Sequence, residues 1–358
     1  MSLRIAHVSD TLQVGGAEVL IVQLCRLFRQ QGHTVGAHCL FAGGTLAEDL
    51  RAEGIPVLLH GPASRWTLTR RLVEEFRRES PDVVHCHNAA ATIIAAPAAR
   101  WAGVPVVIST RHGLVAPPHS WRREIQFSMA SRLCKAVVGV CHATTRNLAL
   151  APLAARNRLV TIHNGAASAP STAEPLPAAP HGFTLLWVGR LAPPKDPVTL
   201  LHAIARVRSH HRQDVGLWVV GDGTLRTSAE RLCRDLGLAD LVKFWGEQAY
   251  VGTFLAACDA FVLSSSSEGL PVSLLEAMAA GRPCIGTATG AMPELIGGGG
   301  CGLVVPAGAV EEMAAAIAGM ASDPGRCRSW GEAARNHYLA HFTLERMAAR
   351  YLDLYEAS

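Results

Sequence analysis

The most informative stretch of the chain is Ala260-Phe-Val-Leu-Ser-Ser-Ser-Ser-Glu268-Gly-Leu-Pro-Val-Ser-Leu-Leu-Glu276-Ala-Met-Ala-Ala-Gly281. Its short apolar start, Ala260–Leu263, predicts a buried strand, and Leu270–Ala280 has the length and composition of a helix. Pro271 suits the first helical turn, where a missing N–H costs nothing. A strand, a polar loop and a helix in this order form one βα unit, which indicates an α/β protein.

The same alternation runs through both halves of the 358-residue chain. In the first half we predict strands at Leu3–Val8, Val35–Phe41, Pro56–His60, Asp82–His85, Pro105–Ser109 and Ala136–Val140, and helices at Ala17–Gln31, Leu68–Glu79, Ala89–Trp101 and Ser120–Leu133. In the second half we predict strands at Phe183–Val188, Val215–Val220, Val242–Trp245, Ala260–Leu263, Pro283–Thr287 and Leu303–Val305, and helices at Asp196–Arg208, Thr224–Gly237, Val251–Cys258, Leu270–Ala280 and Val310–Ser322. Each half therefore predicts a buried parallel sheet built from right-handed βαβ units.

The composition changes between the two halves. Residues 166–182 are rich in Pro, Ala and Ser and carry almost no large apolar side chain, which indicates a linker. We therefore predict two Rossmann-like, doubly wound domains, 1–165 and 183–342, followed by an amphipathic helix at 343–358. Because ligands bind beyond the carboxyl ends of parallel strands, both sets of strand ends are expected to border one interdomain cleft.

Residue composition argues against several classes of protein. The ten cysteines occur singly and form no Cys-x-x-Cys pair, so neither a zinc site nor a disulfide framework is indicated. The chain has no Asp-x-Asp, no His-Glu-x-x-His and no Gly-x-x-x-x-Gly-Lys, so we expect no metal site and no cofactor. Aromatic residues make up 6% of the chain and are not interleaved with basic ones, which argues against a nucleic-acid partner.

Charge and hydropathy bear on the location of the protein. The formal net charge is +4, and from Arg65 to Lys135 eleven basic residues stand against five acidic ones. This basic region is either a solvated face, which composition favours, or a surface for anionic lipid or a phosphate-bearing acceptor. No apolar run reaches roughly eighteen residues, and the start lacks a signal-peptide pattern. We expect a cytoplasmic protein, with contact at the inner face of the cytoplasmic membrane as an alternative.

The predicted helix Ser120–Leu133 lies in this basic region. Its large apolar residues are four apart, and arginines flank them: Trp121, Ile125, Met129 and Leu133, with Arg122, Arg123 and Arg132. The favoured interpretation is an ordinary core-facing stripe with a wet basic side. The alternative is a monotopic membrane face that reaches a lipid-linked acceptor.

Two cations follow the first strand of the second half. The segment Gly189-Arg-Leu-Ala-Pro-Pro-Lys-Asp196 places Arg190 and Lys195 at the carboxyl end of that strand, just before a helix. A pyrophosphate leaving group needs such cations when no metal is present, because negative charge develops on its oxygens. The alternative is a pair of exposed surface cations, and the position at the predicted cleft favours a functional role.

Glycines mark two further strand ends. Gly15 and Gly16 precede the first helix and let backbone N–H groups approach an anion, although a plain tight turn explains them equally well. Gly221 and Gly223 end another strand, where a glycine turn is an adequate explanation and a role in lining a phosphate pocket is the alternative.

Two glutamates and several histidines are candidate site residues. Glu268 lies in the loop before the predicted helix and Glu276 about two turns later, so one carboxylate can reach a sugar and the other ribose hydroxyls. The structural alternative makes Glu268 a helix-start charge and Glu276 a salt-bridge partner. His87, Asn88 and His112 follow predicted strands. With sixteen histidines, any single one is more readily structural, and His112, followed directly by Gly113, is the strongest candidate.

Taken in order, these motifs resemble the retaining glycosyltransferases of the GT-B fold, in family four. The resemblance covers nearly the whole chain and rests on five segments. They are Gly15-Gly-Ala-Glu18, Ile162-His-Asn-Gly165, Val188-Gly-Arg-Leu with Lys195-Asp, Val220-Gly-Asp-Gly, and Ser267-Glu-Gly-Leu-Pro with Glu276-Ala-Met-Ala-Ala-Gly-Arg-Pro. The last segment is the most specific.

The resemblance implies a role for each of these residues. Catalytic residues would be His112, Arg190, Lys195 and Glu268. Donor-binding residues would be Gly15, Gly16, Arg190, Lys195, Gly221, Gly223, Phe244, Glu268, Gly269, Leu270, Pro271 and Glu276. Acceptor-binding residues would be Glu18, His87, Asn88 and His112. The C-terminal helix would pack back on the first domain.

The resemblance also implies a reaction. A sugar would move from a UDP- or GDP-sugar, with retention at the anomeric carbon, to a saccharide or lipid-linked acceptor in cell-envelope or exopolysaccharide synthesis. Glycosylation of a soluble small molecule, a non-hydrolysing sugar-nucleotide epimerase of the same fold class, and a catalytically silent sugar-nucleotide binding protein are the alternatives. The intact set of cationic and acidic residues argues against the last.

Overall fold

The structure is a computed structural model that describes residues 2–114, 121–151, 153–169 and 182–356. The chain forms two compact units. Unit 1 comprises Met1–Gly165 with Leu344–Ser358, and unit 2 comprises Ala166–Thr343.

Within the described part of unit 1, seven parallel strands have helices between them. The strands are β1 (Arg4–Thr11), β2 (Thr34–Ala42), β3 (Val57–Leu59), β4 (Val83–His87), β5 (Val106–Arg111), β6 (Ala136–Gly139) and β7 (Leu159–Thr161). The helices are α1 (Gly16–Gln30), α2 (Thr45–Ala52), α3 (Arg65–Glu79), α4 (Asn88–Ala102), α5 (Trp121–Ser131) and α6 (His142–Ala149). The strand order is β3-β2-β1-β4-β5-β6-β7, so β1, β4 and β5 are neighbours at the centre.

Unit 2 repeats the plan with six parallel strands among its described residues. The strands are β8 (Thr184–Val188), β9 (Gly216–Val220), β10 (Val242–Gly246), β11 (Ala260–Leu263), β12 (Cys284–Thr287) and β13 (Gly302–Val305). The helices are α7 (Pro197–Arg206), α8 (Arg226–Asp235), α9 (Val251–Ala257), α10 (Val272–Ala279), α11 (Val310–Ala321) and α12 (Pro324–His341). The order β10-β9-β8-β11-β12-β13 places β8 between β9 and β11.

The last helix, α13 (Leu344–Glu356), belongs to unit 1 and contacts α1. Its buried face carries Tyr351 and Tyr355, and both hydroxyls reach the central strands. Tyr355 Oη lies 2.7 Å from His85 Nδ1, and Tyr351 Oη lies 3.0 Å from Thr110 Oγ1. Buried hydroxyls need partners, so these bonds fix the helix on β4 and β5.

The predicted fold class is confirmed: both sheets are parallel and helices connect their strands. Parallel sheets of this kind are covered on both faces, so their strands are apolar throughout rather than alternating. β9 and β11 are buried along their whole length. Residues 170–181 of the predicted linker lie outside the described residues. Ala166, at the start of that segment, pairs with Thr343 of unit 2.

Several elements differ from the sequence-based expectation. We did not predict β7, α2, α6 or α12. Three of these are short, and α12 has a weak apolar face that mixes buried and exposed residues. Pro271 is the N-cap of α10 rather than a residue of its first turn, because its backbone is still extended (φ −66°, ψ 127°).

The favoured interpretation of the Trp121 stripe is wrong. Trp121 is 63% exposed and Met129 is 59% exposed, so this stripe faces solvent. Helix α5 instead buries the face that carries Glu124, Phe127, Ser128 and Ser131. Arg111 of β5 holds that face inward. Its Nη2 donates to Glu124 Oε1 at 2.9 Å, and its guanidinium lies over the Phe127 ring. A buried ion pair outweighs the apolar pattern because either charge left alone would be costly.

Candidate functional site

In unit 2, the loops that follow β8 and β9 are joined by backbone hydrogen bonds beyond the ends of their strands. Gly189 N donates to Val220 O at 3.0 Å, and Leu191 N donates to Asp222 O at 2.9 Å. These bonds extend the parallel ladder into the loop that carries Arg190. The backbone of the Arg190 loop is therefore anchored to the loop after β9.

Gly221 and Gly223 make this close approach feasible. Gly221 has φ +124°, and a Cβ there would lie 2.0 Å from Gly189 O. Gly223 has φ +155°, and its Cβ would lie 2.4 Å from Leu191 O. Both glycines are thus required by backbone contact, which supports the structural interpretation of these positions.

The loop after β11 is fixed to the same place. Ser264 Oγ donates to the backbone oxygens of Lys195 and Asp196 at 3.1 and 2.8 Å, and Ser266 N donates to Pro194 O at 2.9 Å. Asp196 also caps α7, since its carboxylate accepts from Thr199 N at 3.1 Å. Hydrogen bonds from the serine-rich loop therefore hold the Lys195 turn in place.

Lys195 and Glu268 form an ion pair between these two loops. Lys195 Nζ lies 2.5 Å from Glu268 Oε1, and Ser265 Oγ donates to the same oxygen at 2.7 Å. Both side chains are mostly buried, so the ammonium and the carboxylate hold each other in place. Arg190 is exposed on the same β8 loop. The strand-end edge of unit 2 thus offers two cations and one carboxylate.

The residues after Glu268 lead into α10. Leu270 and Pro271 are buried, and Gly269 O accepts from Ala291 N at 2.8 Å. No side chain caps α10, so its N-terminal turn directs backbone N–H groups toward this edge. The positive end of the helix dipole favours an anion there.

Glu276 lies on α10 at the end of the same segment. Desolvation raises the pKa of its carboxyl from 4.5 to about 7. The carboxyl is therefore a group that changes its charge near neutral pH. Phe244, the other predicted donor residue, is half-buried on β10, two strands from β8.

In unit 1, the corresponding strand ends carry polar residues from β1, β4 and β5. Gly15 is the N-cap of α1, no side chain caps this helix, and Glu18 lies in its first turn beside Gly16. Asp10 Oδ1 accepts from Ala91 N at 3.1 Å and so caps the start of α4. Gly15 has an extended backbone (φ −170°), so α1 does not require a glycine there for its φ.

Asn88 and His112 are brought together at this edge. Asn88 adopts a left-handed backbone (φ 68°), and its Oδ1 accepts from His112 N at 3.1 Å. His112 Nε2 in turn lies 3.0 Å from His87 Nδ1. Asn88 therefore fixes the backbone of His112, while His87 fixes its ring.

His87 is 1% exposed. Its other ring nitrogen contacts a buried residue that we did not predict from the sequence. His87 Nε2 lies 3.0 Å from Nδ1 of His7, which is on β1. Desolvation lowers the pKa of His7 to about 3 and that of His112 to about 4, and it lowers the pKa of His87 well below 6.5. These three imidazoles are therefore neutral near pH 7. A signal was present in the sequence, because His7 is a polar side chain between the apolar Ala6 and Val8 of a strand.

A second hydrogen-bond network, centred on His85, packs against these histidines. The His85 ring is 4.1 Å from the His87 ring, and its Nε2 lies 2.7 Å from Thr110 Oγ1. Nitrogen atoms of His7, His85 and His87 lie within 4.8 Å of one another, which is close enough for a shared metal ion. Both ring nitrogens of His85, however, already have hydroxyl partners, so hydrogen bonding accounts for this cluster.

A basic and apolar surface covers α3, α4 and α5 of unit 1. Trp66 and Trp101 are exposed and their ring centroids are 5.8 Å apart. Residues of the same helices, together with Phe41, line a cavity of about 280 Å³; they include Arg65, Ile93, Ile94, Arg122 and Arg123. Arg65 donates to Gln126 Oε1 at 2.7 Å, which connects α3 to α5.

The structure thus groups the candidate residues in two sets, one in each unit. Unit 2 holds Arg190, Lys195, Gly221, Gly223, Glu268, Gly269, Leu270, Pro271 and Glu276 on its strand-end loops and α10, with Phe244 apart on β10, and unit 1 holds Gly15, Gly16, Glu18, His87, Asn88 and His112. No helix among the described residues is both long and apolar enough to cross a membrane.

Two family models match the chain. Residues 14–168 match "Glycosyltransferase Family 4", and residues 171–337 match "Glycosyl transferases group 1". Together the two matches cover most of the sequence. The chain therefore belongs to the GT-B glycosyltransferases of family 4.

Individual relatives agree with this assignment. The lipopolysaccharide core biosynthesis glycosyltransferase LpsE of Rhizobium meliloti (strain 1021) is 34% identical over 170 residues, which are 48% of each chain. The chain spans about half the length of the curated relatives that it matches at this level of identity. An Escherichia coli enzyme, UDP-Gal:alpha-D-GlcNAc-diphosphoundecaprenol alpha-1,3-galactosyltransferase, is 26% identical over 79% of each chain.

Among solved structures, Alr3699/HepE of Anabaena in complex with UDP and glucose superposes with a TM-score of 0.85. The match covers 99% of this chain and 100% of the other at 20% identity. At that identity the likeness establishes the GT-B fold.

The contact at Gly221 predicts a large loss of stability on substitution. Gly221→Ala places a methyl group against Gly189 O and imposes a strained backbone, so we expect it to cost more than about 2 kcal/mol of unfolding free energy. Gly237→Ala is the matched control, because Gly237 also has positive φ (+68°) but has nothing within 4 Å of a Cβ. Gly237→Ala should cost about 1 kcal/mol of unfolding free energy. Urea denaturation compares the two, and equal losses would contradict a requirement for the loop contact.

The raised pKa of Glu276 predicts a pH-dependent stability. The folded protein holds this proton more tightly than the unfolded chain, so stability is lost as pH rises from about 4.5 through about 7. Glu276→Gln cannot ionise and escapes that loss. We expect the Tm of the variant, relative to the native protein, to be higher at pH 8 than at pH 5. Parallel Tm curves across this range would show that the carboxyl is not desolvated.

Proposed function

We propose that this protein is a retaining, metal-independent glycosyltransferase that uses a nucleotide-diphosphate sugar, a UDP- or GDP-sugar, as its donor. The observation that carries the proposal is the buried Lys195–Glu268 pair, with Arg190 on the same strand-end edge. A lysine held by an ion pair, together with an arginine on the same loop, can stabilise the negative charge that develops on a departing diphosphate. A neighbouring carboxylate can bind the hydroxyls of the donor sugar.

The roles within unit 2 follow from this arrangement. Arg190 and Lys195 bind the diphosphate, and the N-terminal turn of α10 adds backbone N–H groups. Glu268 holds Lys195 in place and contacts the sugar, and Glu276 accepts hydrogen bonds from the ribose hydroxyls. Arg190 and Lys195 supply the positive charge that a metal ion would otherwise provide, and this is the basis for proposing metal independence.

The proposed transfer is a single exchange at the anomeric carbon. The bond from this carbon to the phosphate oxygen breaks, and a bond to the acceptor oxygen forms on the same face. The proton of the acceptor hydroxyl passes to the departing phosphate oxygen. This route needs no covalent intermediate with the enzyme, and its main requirement is stabilisation of the leaving group.

For the acceptor, we propose a lipid-linked saccharide in cell-envelope or exopolysaccharide synthesis, met at the cytoplasmic face of a membrane. Trp66, Trp101 and Trp121 are exposed on helices α3, α4 and α5 of unit 1, and Arg122 and Arg123 lie on α5. Amphipathic rings with nearby arginines suit the interface of an anionic membrane. The relatives named for lipopolysaccharide core synthesis and for a diphosphoundecaprenol acceptor support this choice.

The role of the cations is tested by substitution. Arg190→Ala and Lys195→Ala should each lower kcat by about a hundred- to a thousand-fold, because transition-state charge loses its partner. Arg231 is an exposed arginine of α8, so Arg231→Ala should leave kcat unchanged. The assay follows radiolabel from UDP-glucose or GDP-mannose into extractable lipid or soluble saccharide, with and without EDTA.

Near-normal turnover in either cation variant would refute the diphosphate assignment, and strong inhibition by EDTA would refute metal independence. Conversion of the donor alone to an isomer would indicate an epimerase instead of a transferase.

Membrane contact is tested by vesicle flotation. The native protein should float with vesicles that contain phosphatidylglycerol and remain behind with pure phosphatidylcholine. Replacing Trp121 and Met129 together by Ser should abolish flotation, because each buried side chain contributes about 2 kcal/mol. Leu150→Ser is the control, since Leu150 is 81% exposed but lies outside α3–α5. Flotation that is equal in both variants would rule out this surface.

A further inference from the structure

The cavity of unit 1, here called the arginine cavity, combines positive charge with apolar walls. Its lining includes three basic and three large apolar side chains: Arg65, Arg122 and Arg123, with Phe41, Ile93 and Ile94. None of the described residues that line it is acidic. Sites for whole small molecules measure roughly 300–1,000 Å³, so a cavity of about 280 Å³ suits an anionic group with a few attached carbons.

Three helices contribute their first turns to the arginine cavity. Arg65 is the first residue of α3, Ala90 lies in the first turn of α4, and Arg122 and Arg123 lie in the first turn of α5. The start of a helix carries a partial positive charge, because its first backbone N–H groups have no partner within the helix. The dipoles of these helices therefore add to the charge of the arginines.

The acidic residues near these arginines leave part of this charge uncompensated. Glu124, which follows Arg123 on α5, accepts from Arg111 Nη2 at 2.9 Å, so Arg111 compensates its charge. Burial raises the pKa of Asp10, and the positive charge of Arg123 opposes that rise. Even with Asp10 ionised, the three guanidinium groups leave an excess of two positive charges. A diphosphate esterified at both ends, with one negative charge on each phosphate group, matches this excess.

Two of the arginines are already ordered by neighbouring side chains. Arg65 Nη1 donates to Gln126 Oε1 at 2.7 Å, and the Arg122 guanidinium lies over the Trp121 ring, 5.5 Å from its centroid. An ordered side chain loses less entropy when it binds a ligand. The planar guanidinium also presents two parallel N–H groups to a pair of phosphate oxygens. The walls are therefore better suited to phosphate than freely moving surface cations would be.

The arginine cavity is continuous with the two surfaces of unit 1 to which we assign acceptor and membrane contact. Ala90 lies two residues after Asn88, whose side chain holds the backbone of His112. Arg122 directly follows the exposed Trp121. In a lipid-linked saccharide the phosphate groups come between the sugar and the hydrocarbon. The helices of unit 1 present a sugar edge, a cationic cavity and an exposed apolar stripe that match these three parts.

We infer that the arginine cavity binds the diphosphate bridge of a lipid-linked acceptor, with its arginines on the phosphate oxygens and Ile93 and Ile94 against the first carbons of the lipid. The sugar on one side of the bridge meets the edge that carries His112. The hydrocarbon on the other side follows the exposed face of α5. The role as acceptor rests on the proposed function, whereas binding of a prenyl diphosphate to the cavity does not.

Binding is measured by isothermal titration calorimetry of the full chain with geranyl diphosphate, a soluble prenyl diphosphate. We expect inorganic diphosphate and geraniol to bind at least about tenfold more weakly, because the first lacks the apolar contacts and the second the ionic ones. Inorganic diphosphate that binds as tightly as geranyl diphosphate would overturn the inference. So would equal affinity for dihexanoyl phosphatidylglycerol, which would assign the cavity to membrane phospholipid.

Substitution of single arginines separates this cavity from the cations of unit 2. Arg65→Ala and Arg122→Ala should each weaken binding of geranyl diphosphate by at least about tenfold, because a charge-assisted hydrogen bond to phosphate is lost. Arg132→Ala is the matched control, since Arg132 is exposed directly after α5 and does not line the cavity. Arg190→Ala should also leave this affinity unchanged. Weakening in Arg190→Ala without weakening in Arg122→Ala would place the ligand on the loop after β8 and overturn the inference.

Filling the cavity tests its apolar part without changing its charge. Ala90 lines the cavity and is half-buried, so the larger side chain of Ala90→Leu occupies space meant for the first lipid carbons. The affinity for geranyl diphosphate should fall toward that for inorganic diphosphate, with a Tm close to that of the native protein. Native affinity for geranyl diphosphate in a folded Ala90→Leu variant would refute the apolar contact.

The binding and transfer measurements fail independently of each other. Geranyl diphosphate that binds through Arg65 and Arg122 in a protein without transferase activity would overturn the proposed function but leave the cavity assignment intact. Radiolabel transfer to a soluble saccharide, by a protein that does not bind geranyl diphosphate, would overturn the cavity assignment.

Discussion

Parallel strands that are covered on both faces constrain everything else in this molecule. Their side chains are buried along most of their length, so polar groups can meet a ligand only beyond the carboxyl ends. Arg190, Lys195 and Glu268 lie beyond the ends of β8 and β11, and His112 lies beyond the end of β5. The strand order, with β8 and β1 near the sheet centres, brings several such ends together in each unit. Site residues from distant parts of the sequence thus become neighbours.

The Lys195–Glu268 pair shows how the fold prepares charge for a reaction. A flexible lysine would lose side-chain entropy on binding an anion, and here much of that ordering is already present in the folded chain. Serines hold both partners, and glycines allow the backbones to approach. The pair is costly to bury, which is why it occurs at a supported loop and not on a bare surface.

Much of the fold could be predicted from the sequence, because hydrophobic periodicity is a local property. The positions of Arg190 and Lys195 at the end of a strand followed directly from this periodicity. The ion pair with Glu268 did not, since its partners are 73 residues apart and only the strand order makes them meet. Helix α5 was misjudged for a related reason: its apolar stripe is visible in the sequence, but the Arg111–Glu124 pair that turns the stripe outward is a tertiary contact. His7 was overlooked because its hydrogen-bond partner, His87, comes from another strand.

The two sets of site residues differ in charge, and the difference is compatible with the proposed sugar transfer. The strand ends of unit 2 hold fixed ionic groups, which suit an anionic leaving group. The central strands of unit 1 hold imidazoles whose burial lowers each pKa so far that they stay neutral. Imidazoles with so low a pKa are poor bases for an acceptor hydroxyl. In the proposed transfer the proton of that hydroxyl passes instead to the oxygen of the departing phosphate.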